Sequence, residues 1–228
     1  MDNRNLALFQ LCDSNFPTGA FSHSYGLESY IQEDRVHDHA TFAEWLHTFV
    51  HGQLVYADGL AVRLAYEALR NGNLDDIWKL DRMLHAQNLP RETREGTQKM
   101  GERMLGLVAT LYPEPALSAY RKRIAAKQSF GHPALVFAMA GYHLEASGPT
   151  TVTYYLYSVV SSLVQNAVRA IPLGQTAGQK VLRHFQEEIA VAAEKVGRMD
   201  RDDFGIVSPG LERSQMEHER IHVRIFMS

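Results

Sequence analysis

Apolar residues along this 228-residue chain recur at spacings of three and four almost from end to end. Phe42, Trp45, Leu46 and Phe49 show the pattern clearly. This spacing places the side chains on one face of an α-helix, and no stretch alternates for long enough to predict a strand. Because there is no internal repeat and no low-complexity linker, the sequence predicts a single all-α domain built as a multi-helix bundle.

Short local signals predict where several helices begin and end. Thr41, three residues before Glu44, predicts a capping box at the start of the first apolar stripe. Asn71-Gly72 predicts a left-handed helix end, and Asn73 is expected to cap the next helix. His132-Pro133 predicts another helix start, since proline loses nothing in the first turn.

The segment over residues 150–168 is long and rich in apolar residues. Its length is close to that of a bilayer span, but Ser158, Gln165 and Asn166 interrupt its apolar character. We therefore expect a buried helix at the centre of the bundle and no membrane segment.

The last residues of the chain differ from the rest. Residues 198–228 carry five Arg against six Asp or Glu, and their apolar residues are scattered. A tail with too little apolar surface for a core of its own is disordered or folds against another surface. We expect an all-α domain over residues 1–197 and a C-terminal tail over residues 198–228 that orders on partner binding.

Charge and cysteine content exclude several classes of function. The net charge is −3, so the chain has no basic field for binding nucleic acid. Cys12 is the single cysteine, which excludes a disulfide framework and a zinc site with several cysteines. A chain of this kind is typical of a reducing compartment, and we expect a cytoplasmic location.

One motif points to metal-dependent hydrolysis. His218-Glu219-Arg220-Ile221-His222 matches H-E-x-x-H, which on a helix places two zinc ligands and a general base on one face. The six residues after His222 include no His, Cys, Asp or Glu, so a third zinc ligand would have to come from upstream in the chain. A polar chain end also offers little of the packed surroundings that a catalytic metal needs. A zinc hydrolase is kept as an alternative.

Other candidate residues have simpler explanations. His47 and His51 lie one helical turn apart and could chelate a metal weakly, but an exposed polar face beside the apolar stripe of that helix is the better explanation. Ser22-His23-Ser24 offers a serine nucleophile beside a histidine base, but side chains of adjacent residues rarely face each other. These residues are better explained as a helix cap. No phosphate-binding loop occurs. We assign no catalytic residue and no metal ligand.

Four blocks of small, aromatic and polar residues stand out along the chain. They are Pro17-Thr18-Gly19-Ala20-Phe21-Ser22-His23-Ser24-Tyr25-Gly26-Leu27-Glu28, then Gly131-His132-Pro133-Ala134, then Pro172-Leu173-Gly174-Gln175-Thr176 with Gly178-Gln179, and finally Ser208-Pro209-Gly210-Leu211-Glu212 running into Ser214, Met216, His218-Glu219, Arg224 and Phe226. In this order, over nearly the whole chain, they resemble the urease accessory protein UreF family. The family pattern has Arg before the His-Glu pair and an aromatic residue three positions after it, where this chain has Glu217 and His222.

The resemblance implies an all-α, non-enzymatic protein that forms a homodimer and joins a urease maturation complex. The implied partners are UreD (also called UreH), the nickel-carrying GTPase UreG, and apo-urease. The implied role is to assist nickel insertion and to modulate GTP hydrolysis by UreG. No cofactor is expected to bind stably, and nickel is expected only through the complex. A chain that itself carries nickel through surface histidines is the remaining alternative.

Two surfaces are expected to contact partners. The first is the tail over residues 208–228, which is expected to dock on UreD with Ile225 and Phe226 as apolar anchors and Arg220 and Arg224 as polar anchors. Leu211 and His218 are also expected to contact a partner. The second is expected to contact UreG or a second copy of the chain through Pro17, Thr18, Gly19, Phe21, His23, Tyr25, Glu28, Arg169, Pro172 and Gln175.

Overall fold

The computed structural model describes residues 3–228, and no strand occurs in this part of the chain. The all-α prediction is confirmed, and the described residues fold as one compact bundle. The α-helices are α1 (Asn3–Cys12), α2 (Leu27–Gln32), α3 (His39–Phe49), α4 (Leu60–Arg70), α5 (Leu74–Gln87), α6 (Arg91–Leu111), α7 (Pro115–Ala125), α8 (Pro133–His143), α9 (Gly148–Ala170), α10 (Gln175–Arg198) and α11 (Pro209–Glu217).

Most of the predicted helix ends are confirmed, and one is wrong in register. Asn73 accepts a hydrogen bond from the Asp76 amide at 3.3 Å and caps α5. His132 caps α8, with proline following it in the first turn. The start predicted at Thr41 lies three residues too late, because Asp38 accepts from the Thr41 amide at 2.8 Å and forms the capping box itself.

The centre of the bundle is α8, and not α9 as the hydropathy of residues 150–168 predicts. Every residue from 134 to 141 is buried, so α8 is surrounded on all sides by α4, α6 and α9. The polar residues of α9 explain the difference, because Ser158, Ser162 and Gln165 lie on a half-exposed face. None of the helices in residues 3–228 is long and apolar enough to cross a membrane.

Helix α6 and the turn before α8 are in backbone contact. A Cβ atom on Gly101 would lie 2.8 Å from the carbonyl carbon of Gly131, which itself has a φ of +86°. The buried carboxylate of Asp81 holds this turn, accepting from Tyr120 Oη at 2.5 Å and from the amide of Phe130 at 2.7 Å. The block around Gly131-His132-Pro133 therefore has a structural role.

A π-helix over Val50–Gly59 joins α3 to α4 without a break in the rod. Gly59 faces α9 and α10, where a Cβ atom would lie 3.1 Å from Val196 and 3.4 Å from Leu156. The sequence pattern does not predict this segment, since π-helices are rare and share the composition of α-helices.

The tail packs against its own chain. After α10 ends, α11 lies on α2 and α6, and Leu211 and Phe226 are buried. The surface on which the tail folds is thus supplied within the chain. Two statements stay predictions: docking of a partner changes the order of the tail, and residues 1–197 form a separate domain.

We expect Gly101→Ala to destabilise the fold by about 1–3 kcal/mol, because the new methyl group meets backbone that cannot move aside. Gly106→Ala on the same helix is the matched control, since nothing lies within 4 Å of its Cβ position. This control should stabilise the protein by about 1 kcal/mol through helix propensity. Urea unfolding of the two variants tests the close approach, and equal free energies of unfolding would contradict it.

Candidate functional site

The end of the tail pairs with the loop that precedes α2. The Ser24 amide donates to the Ser228 carbonyl at 2.5 Å, and the Met227 amide donates to the Ser22 carbonyl at 2.8 Å. The buried ring of His23 shares a hydrogen bond of 2.7 Å with the Ser228 hydroxyl. These contacts join the first sequence block to the two residues that follow the last block.

Glu28 is the residue that connects α2 to the tail. Its carboxylate is 1% exposed and accepts from His218 Nε2 at 2.8 Å, from the Ile225 amide at 2.5 Å and from the Phe226 amide at 3.1 Å. Burial acts to raise the pKa of Glu28, but these hydrogen bonds outweigh it and hold the pKa below its usual value. Glu28 is therefore a buried anion that needs the tail as its partner.

His218 lies between two carboxylates. Its Nε2 atom faces Glu28, and its Nδ1 atom lies 2.8 Å from Glu92 at the start of α6. Burial acts to lower the pKa of His218, but the two carboxylates outweigh it and raise the pKa above its ordinary value. Arg224 donates to the second oxygen of Glu92 at 2.7 Å. We call Glu28, Glu92, His218 and Arg224 the tail ion cluster.

Arg169 joins the loop and the tail at the end of α9. Its guanidinium donates to the carbonyl of Phe21 and to the Asn166 side chain. The guanidinium carbon, Cζ, lies 5.8 Å from the ring centre of Phe21 and 5.2 Å from that of Phe226. Asn166 donates in turn to the His23 carbonyl at 2.8 Å. The loop, α9 and the tail are thus held together by polar contacts.

Several large apolar side chains of this unit are exposed. Val223 is 78% exposed and Phe21 is 60% exposed, and Ile225 and Met227 are exposed to a similar degree. Along the chain end, Arg224 pairs with Glu92 and Phe226 is buried, while Val223, Ile225 and Met227 are exposed. We call Phe21, Val223, Ile225 and Met227 the tail face. Several large apolar side chains exposed together are typical of an interaction site.

The fold and the tail face can be compared with known proteins. The sequence model of the UreF family matches residues 36–186. A curated relative named urease accessory protein UreF, from Lachnoclostridium phytofermentans, is 54% identical over 228 residues, which cover 100% of both chains. The chain belongs to the UreF family of urease accessory proteins. The family resemblance noted in the sequence is confirmed, and membership in this non-catalytic family means that the chain is not an enzyme.

The structure divides the predicted contact residues into two groups. Exposed are Pro17, Phe21, Arg169, Pro172, Gln175, Arg220, Arg224 and Ile225. Buried or half-buried are Thr18, Gly19, His23, Tyr25, Glu28, Leu211, His218 and Phe226. The second group contacts its own chain in this conformation, which differs from the surface position expected for it. Contact with a partner stays a prediction for both groups.

Pro172 lies in the turn between α9 and α10, and Gln175 is the first residue of α10. No hydrogen bond within residues 3–228 connects their side chains to the tail. The third sequence block is explained instead by helix packing, since a Cβ atom on Gly178 would lie 2.6 Å from Val168. Pro172 and Gln175 are therefore not part of the tail face.

Sequence reasoning missed Glu92 and Ser228. Glu92 is separated from its partners His218 and Arg224 by more than 120 positions, and no local signal connects them. Asn166 carried a usable signal, because a polar side chain on the apolar side of a long helix needs a buried partner. That partner is the loop before α2.

The zinc-hydrolase interpretation of the tail motif is wrong. His218–Arg220 forms one 3₁₀ turn and the chain then extends, so the two histidines of the motif do not share a helix face. Both ring nitrogens of His218 face carboxylates, and Glu219 pairs with Arg91 at 3.0 Å. His222 is exposed.

The interpretation of Ser22-His23-Ser24 as a helix cap is correct only in part. Gly26, with a φ of +87°, occupies the N-cap position of α2. Ser24 Oγ accepts from the Glu28 amide at 3.4 Å, which is a long hydrogen bond. Burial, together with the charges of Arg103 and Lys99, lowers the pKa of His23 to about 4. The ring is therefore neutral at neutral pH.

We expect Glu28→Gln to release the end of the tail. Removing one partner of a buried ion pair costs about 3–5 kcal/mol, so hydrogen exchange of the Ile225 and Phe226 amides should accelerate at least about a hundredfold. Glu33→Gln is the control, because Glu33 is exposed just beyond the same helix. Unchanged protection in Glu28→Gln would show that the tail is held by other contacts.

We expect the tail to be held less firmly as the pH rises above 6.5. The pKa of His218 is raised in the folded chain, so its contribution is complete below 6.5 and is lost as the pH rises through the raised pKa. The lowered pKa of His23 has the opposite effect, but mainly below pH 6.5, where the unfolded chain takes up a proton that the folded chain does not. Amide exchange at Phe226, corrected for the intrinsic rate, measures the effect.

The same pH series on two variants identifies the titrating group. His218→Gln should remove the pH dependence above 6.5, whereas His222→Gln should preserve it, because His222 is exposed and lies outside the tail ion cluster. A pH-independent tail in the wild-type chain would contradict the assignment to His218.

Proposed function

We propose that this UreF-family chain is a docking subunit of the urease maturation complex and that the tail face binds UreD (UreH). The observation that carries the proposal is the group of exposed apolar side chains on a tail that is fixed by buried ion pairs. The family supplies the context of urease maturation.

The tail face has the physical properties of a binding surface. Its apolar side chains contribute area that is favourable to bury, and aromatic and arginine residues often dominate such contacts. Phe21 and Arg169 are examples at its edge. Because the tail ion cluster already orders the backbone, docking does not have to order this segment again, which reduces the entropic cost of association.

The buried tail residues contribute indirectly in this proposal. Phe226 and Leu211 fasten the tail to the body, and His218 links it to α2 and α6. They act as positioning residues, while Ile225 and its exposed neighbours meet the partner. This replaces the expectation that Phe226 itself is an apolar anchor for UreD.

The finer roles belong to the same proposal and rest on the family resemblance. The chain brings UreG and apo-urease together with UreD, nickel passes to urease as the cargo of the complex, and docking modulates GTP hydrolysis by UreG. It works as a homodimer in the cytoplasm. None of these roles requires a cofactor that is bound stably to this chain.

We expect Val223→Ser combined with Ile225→Ser to weaken binding to UreD at least about tenfold, because two exposed apolar contacts are lost from the centre of the tail face. Val191→Ser combined with Ile206→Ser is the matched control, since it removes the same two residue types from exposed positions outside the tail face. Co-purification with UreD and urease activity in cells are the measurements.

Unchanged co-purification in the tail-face variant would reject the tail face as the UreD site. Size-exclusion chromatography with light scattering on the chain alone, with UreD, and with UreD and UreG tests the remaining parts. A monomer in the first sample rejects the homodimer, and failure of UreG to join the third sample rejects the scaffold role.

A further inference from the structure

Two histidines lie side by side where α3 passes into the π-helix. His47 is in the last turn of α3, and His51 is the second residue of the π-helix. Their ring centres are 4.5 Å apart and the rings are tilted by 42°. Both rings therefore present nitrogen atoms to the same small region of the surface.

A carboxylate from another helix completes the group. Glu188 of α10 places one oxygen 2.8 Å from His51 Nε2 and 3.3 Å from His47 Nδ1. The three ligand atoms all lie within 4.8 Å of one another. The sequence alone supplies the histidine pair, and the packing of α10 on the π-helix supplies the third ligand.

The two separations that involve Glu188 agree with those around a single ion. An ion about 2.1 Å from each ligand holds neighbouring ligand atoms about 3.0 Å apart in octahedral geometry and about 3.4 Å apart in tetrahedral geometry. The two distances from the Glu188 oxygen are close to these values.

The electrostatic surroundings also favour a cation. Burial acts to raise the pKa of Glu188, but the hydrogen bond with His51 and the charges of His47, His51 and His184 outweigh it and lower the pKa, so the carboxylate is ionised at neutral pH. His47 is exposed, while His51 and Glu188 are half-buried. An ion can enter from solvent, and water molecules can complete its coordination.

The backbone at this position is unusual. Hydrogen bonding changes from the α to the π pattern between the two histidines. Departures from α-helical geometry into π geometry often mark functional sites. This observation is independent of the distances between the side chains.

We propose that His47, His51 and Glu188 bind one divalent transition-metal ion of the nickel and zinc class, in a reversible site on the surface between the π-helix and α10. Two imidazoles and one carboxylate suit these ions, and they do not suit Mg²⁺ or Ca²⁺, which require oxygen ligands. The ion replaces the proton in the hydrogen bond between His51 Nε2 and Glu188. That proton moves to Nδ1 of His51 or is released to solvent. The site shares no residue with the tail face, so metal binding can be tested independently of the docking function.

The test is isothermal titration of the full-length, untagged chain with NiCl₂, ZnCl₂ and MgCl₂. We expect one Ni²⁺ or Zn²⁺ per chain and no heat from Mg²⁺. His51→Ala and Glu188→Gln should each weaken binding at least about tenfold. His39→Ala is the matched control, because this exposed histidine lies on α3 outside the cluster and should leave affinity unchanged.

Visible absorption of bound Co²⁺ provides a second readout that does not depend on binding heat. The wild-type chain and His39→Ala should give the same spectrum, and the two ligand variants should lose it while their circular dichroism stays native. Absence of binding to the wild-type chain overturns the proposal. Binding of equal strength in His51→Ala and Glu188→Gln also overturns it, because the ion would then occupy other ligands.

Discussion

The burial of the Glu28 carboxylate is the constraint on which the rest of the functional surface depends. An ionised group away from water is costly unless it is fully paired, and its partners come from the tail almost 200 positions later. Satisfying this one anion fixes the path of the chain end beside the loop before α2. The exposure of Val223 and Ile225 follows, since the alternate residues are engaged inward.

The fold could be predicted to the extent that it is determined locally. Helical periodicity and the caps at Asn73 and His132 depend on a few neighbouring residues, and they are confirmed. The length of the apolar segment over residues 150–168 did not identify the central helix, because the shorter α8 has the more apolar composition and is the helix buried on every side. The small residues of α8 fit between α4 and α6, whereas the longer α9 keeps a half-exposed side.

The candidate sites show the same division between local and long-range information. The spacing of His218 and His222 suggested a metal site, yet the tertiary fold commits His218 to two carboxylates and leaves His222 exposed. His47 and His51 form a ligand pair by spacing alone, but their third partner is 137 positions from His51. A motif limits which atoms could meet, and packing decides which of them do.

The π-helix over Val50–Gly59 also sets the relative orientation of α3 and α4, which it joins into one long helical rod. Because each π turn holds more residues than an α turn, the segment rotates the apolar side of α4 relative to that of α3. One half can then pack on α10 while the other packs on α8, within a single unbroken helix. The length of this segment is therefore as important as its composition, since loss of a single residue from it would turn one half of the rod away from its neighbours.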